Sequence, residues 1–193
     1  MVKKKFLVFF VLLLFNLYGC SPAGVIAGSS GSAMVIAEGD RSVGSVIDDA
    51  TIKIQITQKF LSSDKNLFLN IDTNVLEGRV LLTGIVKLQE SRIDAVRKVW
   101  EVEGVKEVIN EIEVGKKASI KEYSQDLWIS TQVRGVAAKN LGVRSLSYNF
   151  ETIKGKVYVC GITSKKDQLD LLLNSIQSIK GVKEIVNYVI LKE

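Results

Sequence analysis

Hydrophobic positions in this chain follow two periods in succession, and the succession occurs twice. In "LNIDTNVLEGRVLLTGIV" and again in "LSYNFETIKGKVYVCGIT", apolar and polar residues alternate on both sides of a two-residue break, Glu77-Gly78 in the first and Lys154-Gly155 in the second. Alternation of period two predicts half-buried strands, and a glycine in a two-residue connection predicts a β-hairpin, because such turns need positive φ. Gly84 and Gly161 are expected to end the second strand of each hairpin. The period then lengthens to that of a helix, over about Leu88 to Val102 and Lys165 to Ile179; in the later segment Leu169, Leu172, Leu173, Ile176 and Ile179 make one apolar stripe. Gly104 and Gly181 are expected to stop these helices as C-terminal caps. The runs "VKEVINEIEV" and "VKEIVNYVIL" that follow read as a further strand in each copy.

The two successions are one unit repeated. Gly104 and Gly181 are 181 − 104 = 77 residues apart, and the same shift carries Asp49 onto Asp126, Ile52 onto Ile129, Gly78 onto Gly155, Gly84 onto Gly161 and Asn110 onto Asn187 without a gap. The repeat also resolves an ambiguity. "TIKIQIT" alone alternates like a strand, but its partner segment "DLWISTQVRGVAAKNLG" places Ile129, Val133, Val136 and Ala137 on one helical face, so both copies should open with a helix. Asp49 and Asp126 then fall near the N-termini of those helices, where a carboxylate caps free amides; the role is structural, not acid–base. Each unit is therefore α-β-β-α-β. At roughly 65 to 70 residues each, the units are small for independent domains and should gain from packing against one another.

The start of the chain has a different character. "MVKKKFLVFFVLLLFNLYGCS" puts three lysines before an apolar run from Phe6 to about Leu17, too short for a membrane span of roughly 20 residues and laid out like a secretory signal. "LYGC" resembles the lipobox of bacterial lipoproteins, with Tyr18 where a smaller residue is usual. That resemblance implies cleavage before Cys20 and lipidation of its thiol; two or more acyl chains, at roughly 0.8 kcal/mol per buried CH₂, anchor stably. Ser21 after the cysteine, by likeness to the sorting pattern of enteric bacteria, implies the outer membrane. The glycine-rich "SPAGVIAGSSGSAMVIAEGD" reads as a tether. The expected organisation is a signal peptide over residues 1–19, a lipidated cysteine and flexible tether over 20–44, and folded units over 45–115 and 121–193.

Composition narrows the chemistry. The chain has no histidine, which removes the commonest general base and the commonest metal ligand. Cys160 is the only cysteine besides Cys20, and its place in an alternating run predicts a small buried hydrophobe. No nucleophile–base pair, metal cluster or phosphate-cradling glycine loop is visible, so catalysis, cofactors and metals are not expected. The formal charge of +5 overstates the basicity of the mature protein, since three of the lysines lie in the signal. Residues 48–114 hold 9 basic and 12 acidic groups, net −3, whereas residues 121–193 hold 11 and 7, net +4. The second copy is the one suited to an anionic partner, and the export signal argues against nucleic acid.

"EGRVLLTG" and "KGKVYVCG" in mid-unit, with "GVKEV" and "GVKEI" before the last strand, resemble the BON domain of bacterial envelope proteins. With the lipobox, "RSVGSVIDDATIK" and "DLWISTQVR", the likeness covers nearly all of the mature chain and extends to dual-BON lipoproteins. It implies an α+β fold of two tandem BON domains, each a three-stranded mixed sheet packed against two helices. It also implies a non-enzymatic protein, lipid-anchored in the outer membrane and facing the periplasm, that binds anionic phospholipids and supports envelope integrity. The alternative is a periplasmic adaptor for the envelope assembly machinery. In such proteins the lipid surface surrounds the first helix of the second domain and includes a tryptophan, a place held here by Trp128. At 100° per residue, Gln132, Gly135 and Lys139 lie within about 40° of Trp128, and the core positions Ile129, Val133 and Val136 about 80° to 140° away. Trp128, Gln132, Gly135 and Lys139 are thus the expected phospholipid-binding residues; packing of Trp128 against the other domain is the competing reading. Trp100, whose counterpart is Gln177, is assigned no site.

Overall fold

The computed structural model describes residues 42–192; the expected signal peptide, Cys20 and most of the expected tether lie outside them. The first copy runs α1 (Val43–Ser63), α2 (Lys65–Asn70), β1 (Ile71–Leu76), β2 (Arg79–Val86), α3 (Gln89–Trp100) and β3 (Glu107–Val114). The second runs α4 (Ile120–Leu141), a 3-10 turn (Gly142–Ser147), β4 (Tyr148–Ile153), β5 (Lys156–Thr163), α5 (Lys166–Gln177) and β6 (Glu184–Leu191). In each sheet the middle strand is the second, antiparallel to the first and parallel to the third, giving the orders β1-β2-β3 and β4-β5-β6. The fold is α+β with two mixed three-stranded sheets.

The first helix of each copy opens on a capping serine. Ser42 accepts from the Ser45 amide, and Ser119 forms a full capping box with Glu122. The expectation that Asp49 and Asp126 cap these helices is corrected. Each sits at the seventh helical residue, is buried, and reaches across to the hairpin turn of its own copy. Asp49 accepts from the amides of Glu77 (2.8 Å) and Gly78 (2.9 Å), and Asp126 from those of Lys154 (2.7 Å) and Gly155 (2.8 Å). Both turn residues have positive φ in both copies, 53° and 80° for Glu77 and Gly78 and 51° and 82° for Lys154 and Gly155. Such backbone is uncommon outside glycine, and the carboxylate fixes it by holding both N–H groups at once.

Two glycine assignments also change. Gly84 and Gly161 lie inside β2 and β5, which continue to Val86 and Thr163. They are glycine because a neighbour approaches closely: a Cβ on Gly84 would stand 2.0 Å from the Asn70 carbonyl oxygen, and one on Gly161 2.7 Å from the Tyr148 ring. Gly104 and Gly181 come three residues after the helix-capping residues Glu101 and Ser178, so they shape the turn into the last strand and do not cap the helix. The helices themselves are shorter than the pattern suggested, Gln89–Trp100 and Lys166–Gln177.

Each copy has its own core between helices and sheet, built in the first around Ile56, Phe60, Leu67, Val80, Leu82, Val99 and Ile112, and in the second around Ile129, Val133, Val157, Val159, Leu172 and Ile176. All of these core residues lie within residues 42–192. A third cluster joins the copies through the opposite sheet faces: Leu81, Ile85 and Ile109 meet Ile153, Tyr158, Cys160, Val186 and Tyr188. The middle strands are therefore covered on both sides, which is why "RVLLTGIV" and "KVYVCGIT" are so continuously apolar. Polar bonds rim this seam. Glu111 accepts from Tyr188 (2.6 Å) and Tyr158 (3.4 Å), Lys154 of the second turn pairs with Glu113, and Lys192 after β6 pairs with Glu77 of the first turn, both at 2.9 Å.

Candidate functional site

Helix α4 presents two unlike faces. Asp126, Ile129, Ser130, Val133 and Ala137 are buried, with the Ser130 hydroxyl donating to that of Thr152 on β4 at 3.0 Å. Trp128, Gln132, Gly135 and Lys139 are all exposed, on the face turned away from that core. Trp128 keeps 47% of its surface in solvent, so about half of the residue is open to a surface outside the protein. A Cβ on Gly135 would meet nothing, which leaves the middle of the stripe open. Lys139 stands eleven residues after Trp128, about 16 Å along the helix. The four residues form a stripe rather than a pocket. Chemically, such a stripe offers one large amphipathic ring, amide donors and a cation, the equipment for lying against a surface.

What frames the upper part of this helix comes from the turn between α5 and β6, which the stripe alone did not reveal. Gly181 abuts α4: a Cβ there would lie 3.1 Å from Gln125 Nε2 and 3.2 Å from Ile129 Cδ1, residues about 60° and 100° around the helix from Trp128 on one flank. Lys183 donates from Nζ to the Lys154 carbonyl at 2.8 Å. The Glu122 carboxyl is held below its ordinary range first by its bonds from Ser119 and then by the charges of Lys154 and Lys183. In the first copy the matching region is a cleft of about 380 Å³ lined by Ser45, Asp48, Thr51, Gln55, Glu103 and Lys106, above the Asp49–turn bonds.

The remaining reactive groups are quiet. Cys160 lies in the seam between the sheets, and burial pushes its thiol up to about 12 against a small opposing pull from Arg79. Burial likewise raises the Tyr158 and Tyr188 hydroxyls, and Glu111 adds to the effect. A second cleft, of about 550 Å³, runs between the copies past Lys53, Asp72, Arg134, Leu146, Phe150 and Glu151. There Glu151 is raised to about 7, by burial first and then by Asp72, with Arg134 acting the other way. Trp100 is 53% exposed on α3 and contributes to neither cleft. Among the described residues no helix is long and apolar enough to cross a membrane, and no cluster of three carboxylates or thiols is arranged to hold a metal.

Comparison with known proteins places these features in a family. The BON domain model matches twice, over residues 48–116 and 125–193. The chain is 38% identical over 147 residues to the uncharacterized protein in gshII 5'region of Anaplasma centrale, covering 76% of this chain and 96% of that one. It is 30% identical over 172 residues to the outer membrane lipoprotein DolP of Haemophilus influenzae, covering 88% and 87%. With the 21 kDa hemolysin of Actinobacillus pleuropneumoniae it shares 29% over 154 residues, 77% of this chain and 78% of the relative.

Proposed function

The chain belongs to the BON-domain family, and on that premise we propose that it is a non-enzymatic lipoprotein of the outer membrane that binds anionic phospholipids through its second BON domain and helps maintain envelope integrity. Cys20 carries the acyl anchor, and the folded domains face the periplasm. The name of the Haemophilus influenzae relative supports the location and the anchor. The observation that carries lipid binding is Trp128, half in solvent on the outer face of α4, in the copy with the net positive charge. An indole suits the headgroup region, its body entering the apolar boundary and its N–H meeting water or phosphate. Because the anchor keeps the domain near the bilayer, this contact can be weak in isolation and still hold an orientation.

Flotation of residues 21–193 with neutral and anionic vesicles tests this reading. Trp128→Glu is expected to lower binding to anionic vesicles by about tenfold or more, with an unchanged circular dichroism melt, since it removes the ring and adds repulsion from the headgroups. Wild-type binding should weaken with added salt by screening. Equal binding of wild type and Trp128→Glu, both folded, would place the lipid contact elsewhere. For the anchor, metabolic labelling with a fatty acid should mark the wild-type precursor and leave Cys20→Ala unlabelled.

One observation favours a second reading. Val43, Ile47, Ile54 and Leu61 are all about half exposed along one face of α1, whereas their second-copy counterparts are Ile120, Ser124, Thr131 and Ala138. An uncovered apolar stripe suits an adaptor that binds envelope assembly proteins. Co-purification with the native lipoprotein, lost in Ile54→Glu and kept in Trp128→Glu, would establish it.

A further inference from the structure

The two copies are a controlled comparison. They share a fold and an ungapped alignment, so a difference at equivalent surface positions reports something the fold does not require. Around the cleft of the first copy stand Ser45, Asp48, Thr51, Gln55, Glu77, Glu103 and Lys106. The shift of 77 puts Glu122, Gln125, Trp128, Gln132, Lys154, Lys180 and Lys183 around the same rim in the second. Several of these charges are already used. Glu77 and Lys154 pair across the seam with Lys192 and Glu113, and Glu122 is engaged by Ser119. What remains is Asp48, Glu103 and Lys106 in the first copy, net −1, and Lys180 and Lys183 in the second, net +2. Lys180 and Lys183 are both exposed, and among the described residues neither forms an ion pair. The rim position that is Thr51 in the first copy is Trp128 in the second.

We propose that Lys180 and Lys183, on the turn between α5 and β6, join Trp128 as one docking surface for an anionic bilayer, and that the lysines of this turn supply its charge selectivity. The inference rests on the reading of the second domain as the lipid-binding one. Its geometry is the approach of Gly181 to Gln125 and Ile129, which seats the turn against the flank of α4 about 60° to 100° around the helix from Trp128. The occupant follows from charge and exposure. Two exposed ammonium groups on the turn that abuts α4, with an exposed indole on α4 itself, suit a plane of phosphates with an apolar layer beneath it, where each cation near the surface strengthens binding about fivefold. The first copy, with acids at two of the matching positions and threonine in place of tryptophan, is repelled from the same plane. The pair of copies thereby has one end that faces the lipid.

The test uses residues 21–193, which hold every core residue named above, with vesicles of phosphatidylcholine alone and with about a third phosphatidylglycerol. Lys180→Gln with Lys183→Gln should lower affinity for the anionic vesicles by about 25-fold, while the charge-matched pair Arg144→Gln with Lys165→Gln should lower it less than threefold. Lys180→Arg with Lys183→Arg should bind as wild type. Because Lys183 also bonds the Lys154 carbonyl, Lys180→Gln alone, expected at about fivefold, settles the matter if the double variant melts early. Equal losses in the rim and control pairs would overturn the inference and leave the lipid-binding reading standing. Failure of the wild type to prefer anionic vesicles would overturn both. Competition by millimolar glycerol 3-phosphate would show a free-phosphate site in place of a bilayer surface.

Discussion

At the residue scale the most informative groups are Asp49 and Asp126. From the sequence they look like helix caps, since each comes early in a helical segment. Their true partners are amides 28 and 29 residues downstream, a distance no local pattern reports. The repeat did show that the pair matters, because the shift of 77 aligns them, but only the fold shows that they clamp a positive-φ turn. Asp126→Ala should therefore cost about 3 kcal/mol, leaving two amides without their charged acceptor, one of them buried. A fall in the urea midpoint with an unchanged slope would register it; a midpoint equal to wild type would show that water replaces the carboxylate. On α4 the sequence placed Trp128, Gln132, Gly135 and Lys139 on one outward face, and all four are exposed there. Lys180 and Lys183 escaped notice because they belong to another element, and the only trace of them was the charge difference between the copies.

The elements were largely legible because the period changes cleanly from two to that of a helix and because each copy vouches for the other. "TIKIQIT" would have been read as a strand without "DLWISTQVR" as its partner. What was missed is the helical turn between the first helix and first strand of each copy, Lys65–Asn70 and Gly142–Ser147. These six-residue segments are too short to display a period, and the one local sign is Asp64, whose side chain accepts from the Asn66 amide at 2.8 Å. Yet that turn explains Gly84. The carbonyl of Asn70, the last residue of α2, lies against β2 where a side chain would be. Gly84→Ala should be more damaging than Gly161→Ala, because at Gly84 the obstacle is backbone and the φ is 139°, whereas at Gly161 it is a side-chain ring. Thermal melts of the two variants side by side should rank them in that order, and the opposite ranking would mean that the α2–β1 junction shifts more readily than the Tyr148 ring.

For the molecule as a whole, the sequence implied that two small units would lean on each other, and the way they do so is the joining of sheet faces across Leu81, Ile109, Tyr158 and Cys160. Nothing in one strand announces which surface it will meet, so the arrangement was not readable beyond the doubly apolar middle strands. The cleft beside this seam carries a testable acid. Glu151, from an ordinary 4.5, is raised to about 7 by burial and by Asp72, with Asp126 adding to the rise and Arg134 opposing it; Lys53 lines the same cleft. A carboxyl raised in the folded state contributes stability that is fully present below the unfolded value near 4.5 and is lost as pH rises to about 7. Glu151→Gln should then melt above wild type at pH 8 and together with it at pH 4. A difference that persists at pH 4 would mean that shape, not charge, sets the cost.

The same seam bears on the order in which the chain comes into being. Synthesis runs from the N-terminus, so the first domain has its helices, turn clamp and inner core available while residues 153–188 are still to be added. Until then Leu81, Ile85 and Ile109 form a bare apolar sheet face. Such a face is open to apolar association with a neighbouring chain. The stretch between the two domains is therefore a window of exposure during biogenesis, and holding chaperones have a defined target in it: one face of one sheet, which disappears when the second domain closes over it.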